Sequence, residues 1–509
     1  MLRPIDGAVI IAYLVGMVVV GLYFSRRNTN TEEYFVGNRA FGGWVVGVSM
    51  LGTNISSISF LAFPAAAYVS DWRQLVSNLF LPVVTVVAIV LFIPLFRRGG
   101  LTSAFEYLGN RFGTAVRLYG TLSFIFAQFI RLSTILFMLS IPATLLTGWP
   151  FVWVVLGLGL LIGFYTLVGG IDAVIWTDVV QAGVLAFGAL LCLGIVVWNL
   201  PGGFGQILDV AAAGTKFDLG HLDWDLRERT FATAMLLGIY TWITLLATDQ
   251  TYVQRYAAAR STRAARQATA LFCGLAVPLW IFFFFLGTSI YVYYSVLPNP
   301  AVSALQADQV FPYFILTELP AGFGGLVLAG ALAAAMSSID SSLNSIATVT
   351  VVDLLRPYLV KGRDDVFYLR MARWTVALAG TAMIGGAVLI SRIPRESMTD
   401  LIWITSSIFG GCLVGLFMVG FFTTRVGPRA ALSAVVLAMT ANLYLALNTL
   451  GLLPATLAIA VHGYWVAILV NLLFMSVAYP LSFWLRERPR DLTGLTVWTS
   501  GDKVELDPR

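Results

Sequence analysis

The chain has 509 residues, 59% of them apolar and only 11% charged, and it carries a formal net charge of +5. That balance excludes a soluble enzyme and points to an all-α polytopic membrane protein. The basic residues are distributed as membrane topology requires, so the positive charge carries no nucleic-acid signal and no nucleic-acid partner is expected.

A membrane-crossing helix needs about 20 apolar residues. Thirteen stretches qualify: 6–25, 41–67, 74–96, 117–147, 149–168, 173–198, 230–254, 268–294, 310–350, 369–391, 400–423, 430–452 and 462–485. The first is too long and too weakly flanked for a cleaved signal peptide and is read as a span. With the N-terminus outside and the spans alternating, 23 of the 31 basic residues fall in cytoplasmic segments and 7 outside. Arg131 is left within a span. The asymmetry obeys the positive-inside rule and places the C-terminus in the cytoplasm. Arg255, Arg260 and Arg263 enter this count as loop residues that set orientation.

The second stretch is interrupted by Gly52-Thr53-Asn54-Ile55-Ser56-Ser57-Ile58-Ser59 and by Pro64. Polar groups at membrane depth are expensive and usually face a cavity, a pathway or a partner helix. Five spans later the stretch 230–254 carries Gly238 and Thr248-Asp249-Gln250-Thr251. Interrupted segments at matching places in two halves point to an inverted-repeat transporter that binds substrate and ion at the breaks. The repeats are read as 41–198 and 230–423, five helices each, with one extra helix before them and two after. Between them, the loop 199–229 is expected on the membrane surface through the amphipathic piece around Trp224. A short cap is expected near 296–310. Residues 1–490 thus form a single transporter domain, and 491–509 a polar cytoplasmic tail.

The ninth stretch contains Ser337-Ser338-Ile339-Asp340-Ser341-Ser342-Leu343-Asn344-Ser345. At helical spacing, Ala334, Ser337, Ser338, Ser341 and Ser345 share one face, with Asp340 and Asn344 at its border. Such a stripe either permits close helix packing or supplies oxygen ligands, and oxygen-only ligation suits an alkali or alkaline-earth ion. Two serine-rich breaks together favour the ion. Cys192, Cys273 and Cys412 lie inside apolar runs and read as free core thiols. His221 and His462 fall in or near outside loops without metal spacing. No nucleophile–base constellation appears in the spans, so no enzymatic activity is expected. A channel would need a continuous polar stripe on several helices, and a receptor a soluble signalling domain.

Four motifs resemble those of the sodium:solute symporters, whose fold is the inverted repeat of the leucine transporter. They are Tyr34-Phe35-x-Gly37-x-Arg39; Tyr165-Thr166-Leu167-Val168-Gly169-Gly170-Ile171 with Trp176-Thr177-Asp178-Val179-Val180-Gln181; Thr248-Asp249-Gln250-x-x-Val253-Gln254-Arg255-Tyr256; and the serine run 337–345. The likeness covers essentially the whole chain. It is greatest to bacterial sialic acid symporters, through Ile55-Ser56-Ser57-Ile58-Ser59-Phe60, Pro64…Ala67-Tyr68-x-Ser70-Asp71-Trp72, Ser103-Ala104-Phe105-Glu106-Tyr107-Leu108 and Arg131.

The resemblance implies a main sodium site made by the carbonyls of Gly52, Ile55 and Ala334 and the hydroxyls of Ser337 and Ser338. It implies a second sodium position at Asp178, Ser337, Asp340 and Ser341, where the sialic acid symporters carry Ser in place of Asp340. It also implies that Arg131 faces a substrate carboxylate, joined by Ser56 and Ser59 near the exposed amides of the broken helix. Asn54, Gln74 and Asn78 are further substrate candidates, each equally open to a packing role.

Arg131 itself has two readings, a carboxylate clamp through its planar fork or a structural pair with an acid. Asp178 reads as an ion ligand or a structural acid, with little local to pair with. Asp249 and Gln250 are expected to brace the second break, and Tyr240, Trp242 and Thr244 to line the pocket. The expected function is import of a small hydrophilic solute driven by one or more sodium ions. That solute is an anionic sugar acid such as sialic acid, or else a neutral sugar, a monocarboxylate or an amino acid. The expected setting is a monomer in the bilayer of a bacterial inner membrane.

Overall fold

The computed structural model describes residues 3–25, 29–55, 58–224, 230–392, 410–454, 456–459, 465–485, 487 and 491–499. The helices, in chain order, are α1 (Pro4–Ser25), α2 (Thr31–Val36), α3 (Gly43–Asn54), α4 (Ser59–Val69), α5 (Arg73–Arg98) and α6 (Ala104–Phe112). Then come α7 (Thr114–Thr147), α8 (Phe151–Asn199), α9 (Gly203–Ala213), α10 (Phe231–Thr248), α11 (Gln250–Ala258) and α12 (Thr262–Val296). The series ends with α13 (Ala307–Glu318), α14 (Phe323–Val349), α15 (Asp365–Ile390), α16 (Leu413–Phe422), α17 (Pro428–Thr449) and α18 (Val466–Leu485).

Among the described residues ten helices are long and apolar enough to cross a membrane, or eleven with α3 and α4 counted as one bent span. The difference from thirteen has identifiable sources. The stretches 149–168 and 173–198 form one 49-residue helix, kinked at Gly170, whose φ of 61° and ψ of −167° only glycine adopts readily. The stretch 400–423 contributes only the ten-residue α16, since 393–409 lie outside the described residues. The stretch 310–350 is also not one helix. Residues 310–318 belong to α13, and the long helix starts at Phe323.

Both expected interruptions are present. The axes of α3 and α4 differ by 65° across the first. At the second, Asp249 takes an extended conformation (φ −80°, ψ 122°) between α10 and α11, and its carboxylate caps Thr251 N. Capping by a short acid satisfies an orphan amide at a helix start.

Every residue of α14 from Val327 to Val349 is buried, so this helix runs through the centre of the protein. It packs against α8 at glycines on both helices. A Cβ at Gly330 would lie 3.3 Å from Leu185 Cα, and one at Gly188 3.2 Å from Val327 Cα. Small residues let the backbones approach, as is usual in membrane bundles. The long 199–229 connection holds down the end of α4: Lys216 Nζ donates to the carbonyls of Tyr68 (2.8 Å) and Ser70 (2.9 Å) and sits over the Tyr291 ring. Burial lowers the Lys216 pKa from its ordinary value.

A tighter contact fixes the broken helix from the other side. A Cβ on Gly287 of α12 would fall 2.2 Å from the Pro64 carbonyl oxygen. Gly287→Ala should therefore force α12 and α4 apart, at the roughly 1–3 kcal/mol typical of overpacking. The check is a thermal melt in detergent, where an unchanged midpoint would contradict the contact.

Candidate functional site

The site is built where α3 stops. A helix that ends leaves its last carbonyls without intrahelical donors, and α3 ends at Asn54 with Ile55 extended (φ −83°, ψ 99°). Opposite stands the hydroxyl face of α14. Ser338 Oγ donates to the Thr53 carbonyl at 2.9 Å and lies 3.4 Å from the Ala334 carbonyl. Gly52 lies close enough that a Cβ there would be 3.1 Å from Ser337 Oγ and from the Asp178 carbonyl oxygen. Gly52, Ala334, Ser337 and Ser338 are therefore gathered at one junction of α3, α8 and α14, with Ile55 the first residue past it. Carbonyl and hydroxyl oxygens at a helix break suit a small hard monovalent cation.

Beside this junction lies a fully buried ion pair. Arg255 Nη2 is 2.7 Å from Asp178 Oδ2, and the two side chains are 1% and 0% exposed. The guanidinium also donates to Ser49 Oγ (2.9 Å), the Thr251 carbonyl (2.9 Å), Ser341 Oγ (2.7 Å) and Thr53 Oγ1. Asp178 accepts in addition from Ser49 Oγ (2.5 Å), Thr53 Oγ1 (3.3 Å) and, on its other oxygen, Ser337 Oγ. Two charges leave water at a high desolvation cost that attraction offsets only when the remaining donors and acceptors are satisfied. Here the hydroxyl ring supplies them.

This arrangement corrects one expectation: Arg255 is a core residue rather than an orientation signal in a loop. Asp178, with little to pair with locally, finds its partner 77 residues away. Of the four residues of the expected second sodium position, Asp178 and Ser337 are in direct contact and Ser341 joins them through Arg255. Asp340 lies beside them without a direct hydrogen bond to their side chains: its Oδ2 accepts from Tyr165 OH at 2.8 Å, and among the described residues its Oδ1 has no hydrogen-bond partner. Among the described residues no cation pairs with Asp340. The neighbouring Gln254 binds the Phe35 carbonyl (2.6 Å), Asn344 (2.7 Å), Thr348 (2.9 Å) and Ser345 (3.0 Å), which ties α11 to α2 and α14. The serine stripe of α14 is thus spent on specific polar contacts as well as close packing.

The substrate candidates are only partly assembled. Asn54 Nδ2 donates to Tyr252 OH at 2.9 Å. Arg131 Nη1 lies 3.7 Å from Asp249 Oδ2, and Gln128 Nε2 donates to the same oxygen at 3.2 Å. Asp249 caps α11 and Tyr252 lies one turn on, so Asn54 and Arg131 converge on the start of that helix. The Arg131 side chain is still 28% exposed, and a pair at that distance leaves most of its fork free. Ser59 is buried on α4, and Ser56 lies outside the described residues. Gln74 is exposed and Asn78 half-buried on α5, and no hydrogen bond among the described residues ties either to Arg131.

Asp249 and Gln250 do brace the second break. Gln250 reaches the Thr102 carbonyl (2.8 Å) and accepts from Ala104 N (2.7 Å). Tyr240 and Trp242 are engaged in the scaffold, the first with Asn471 and the second with the Ser77 carbonyl and the Trp280 ring. Sequence reasoning missed Tyr252, Gln128 and Ser49. Tyr252 alone had a signal, lying three residues into the helix that follows the second break.

The sequence profile of the sodium:solute symporter family matches residues 34–438. The sodium/sialic acid symporter SiaT of Proteus mirabilis is 31% identical over 86% of this chain and 89% of its own. The sodium/sialic acid symporter NanT of Aliivibrio fischeri is 30% identical over 85% and 86%. The human sodium-coupled monocarboxylate transporter 1 is 29% identical over 84% and 71%. Among solved structures, a substrate-bound, outward-open sodium-coupled sialic acid symporter with a novel sodium site superposes with a TM-score of 0.86. It shares 28% identity and covers 96% of this chain and 99% of its own. The nucleobase–cation symporter Mhp1 superposes with a TM-score of 0.57 at 15% identity, covering 89% and 94%, a likeness of fold alone.

Proposed function

The chain belongs to the sodium:solute symporter family and is a transporter, not an enzyme, and from that premise we propose that it imports a sialic acid or related sugar acid down a sodium gradient. The observation that carries the reading is the junction of the α3 break with α14, where Ser338 Oγ meets the Thr53 carbonyl. Sodium binds there through the carbonyls of Gly52, Ile55 and Ala334 and the hydroxyls of Ser337 and Ser338. It thereby holds α3 and α14 together, organising the substrate position beside the break. Arg131 offers its free fork to the substrate carboxylate, with Asn54, Ser56, Ser59, Gln74 and Asn78 as the surrounding polar candidates. The two five-helix repeats rock about this fixed site, in a bacterial inner membrane with the N-terminus outside. Because the coupling is a binding free energy, substrate tightens sodium by the factor by which sodium tightens substrate.

The test is uptake of labelled N-acetylneuraminic acid into proteoliposomes under an inward sodium gradient, with potassium as control. Sodium-driven accumulation is expected. No uptake by protein that sodium still protects in a thermal melt would reject the sugar acid and keep the symporter. Arg131→Ala should lower apparent substrate affinity about 10–100-fold, the worth of a charge-assisted contact. Its melting temperature should hardly change, since the long, partly exposed pair with Asp249 contributes little. The reverse pattern would make Arg131 structural.

A further inference from the structure

Two oxygen-lined positions lie side by side along α14, sharing Ser337. The first, at the α3 break, is made of neutral oxygens, and among the described residues no cationic side chain enters it. The second is the ring of Ser49, Thr53, Asp178, Ser337 and Ser341, and the guanidinium of Arg255 stands inside it. We propose that Arg255 is the permanent cation of this second position, so that the chain moves one sodium ion, and not two, with each solute. The inference rests on the sodium-coupled reading above.

Three features support it. Arg255 pairs with Asp178 at 2.7 Å, so the carboxylate of the ring already has a cationic partner. The ring hydroxyls are already directed: Ser341 and Thr53 accept from Arg255 and approach each other at 2.9 Å, and Ser337 donates to Asp178. Unlike a solution ion, the guanidinium is always charged and is tethered to α11. It therefore links α3, α8 and α14 to that helix whether or not sodium is present.

The test counts sodium directly. Equilibrium binding of radioactive sodium to purified full-length protein, with and without N-acetylneuraminic acid, should give one ion per chain and a Hill coefficient near one. The sodium-to-solute coupling ratio in proteoliposomes should also be one. Arg255→Gln frees Asp178 and should raise the count towards two. Arg255→Gln combined with Asp178→Asn keeps the ring neutral and should return it to one. Two ions bound to the wild-type protein would overturn the proposal, whatever the variants do. If Asp340→Asn then removed one of them, the second ion would belong to Asp340. A count of one in folded Arg255→Gln would also overturn it. No sodium binding at all would sink the functional reading itself, an outcome distinct from both.

Discussion

Asp178→Ala should destabilise the protein by about 3–5 kcal/mol, the usual consequence of leaving one member of a buried ion pair alone. The Arg255 side chain is 1% exposed and its donors point inward at Asp178, Ser49, Thr53 and Ser341. With the carboxylate gone, a guanidinium remains in the core with only neutral partners, the hydroxyls of Ser49, Thr53 and Ser341 and the Thr251 carbonyl. Arg255→Ala should be damaging for the mirror reason. The double replacement should cost less than the sum of the two, because contacting residues couple. Thermal or denaturant melts of the purified protein measure all three. A loss of under about 1 kcal/mol for Asp178→Ala would show that water reaches the pair.

Ser338→Ala should raise the sodium concentration that half-saturates uptake by roughly 10–100-fold, corresponding to loss of one ligand to a charged partner at about 1.5–3 kcal/mol. In the structure the same hydroxyl makes only neutral contacts, to the Thr53 carbonyl at 2.9 Å and the Ala334 carbonyl at 3.4 Å, so stability should fall by only about 1 kcal/mol. Ser337→Ala should behave differently, since Ser337 also donates to Asp178. It should lose sodium affinity and stability together. Unchanged sodium dependence in Ser338→Ala would remove the assignment of the main site.

Set beside the structure, the sequence was informative wherever the signal is local. Span length follows from apolar runs, because a bilayer fixes how much chain must be greasy. Both breaks were marked by polar and Pro or Gly residues, since only these release a helix at membrane depth. The α14 stripe followed from 3.6-residue periodicity. What the sequence could not give was the partner of any polar group. Asp178 and Arg255 are 77 positions apart, and nothing in their spacing marks them as a pair. Counting arginines by topology placed Arg255 in a loop because it follows the last apolar residue of 230–254; in the structure α11 carries it back into the core. Asp249 read as a brace for a break, and packing also brought it to Arg131, 118 positions earlier in the chain. Asp340 looked like a ligand through the resemblance to the family's second sodium position, and nothing in the sequence showed that Tyr165 of α8 would donate to its carboxylate. The sequence by itself determined that the chain is built of apolar helices, near which residues two of them break and which face of α14 is polar, because hydropathy and helix geometry act over a few residues. Only the tertiary structure decided which charges meet, because a buried charge is satisfied by whatever packing brings within about 3 Å.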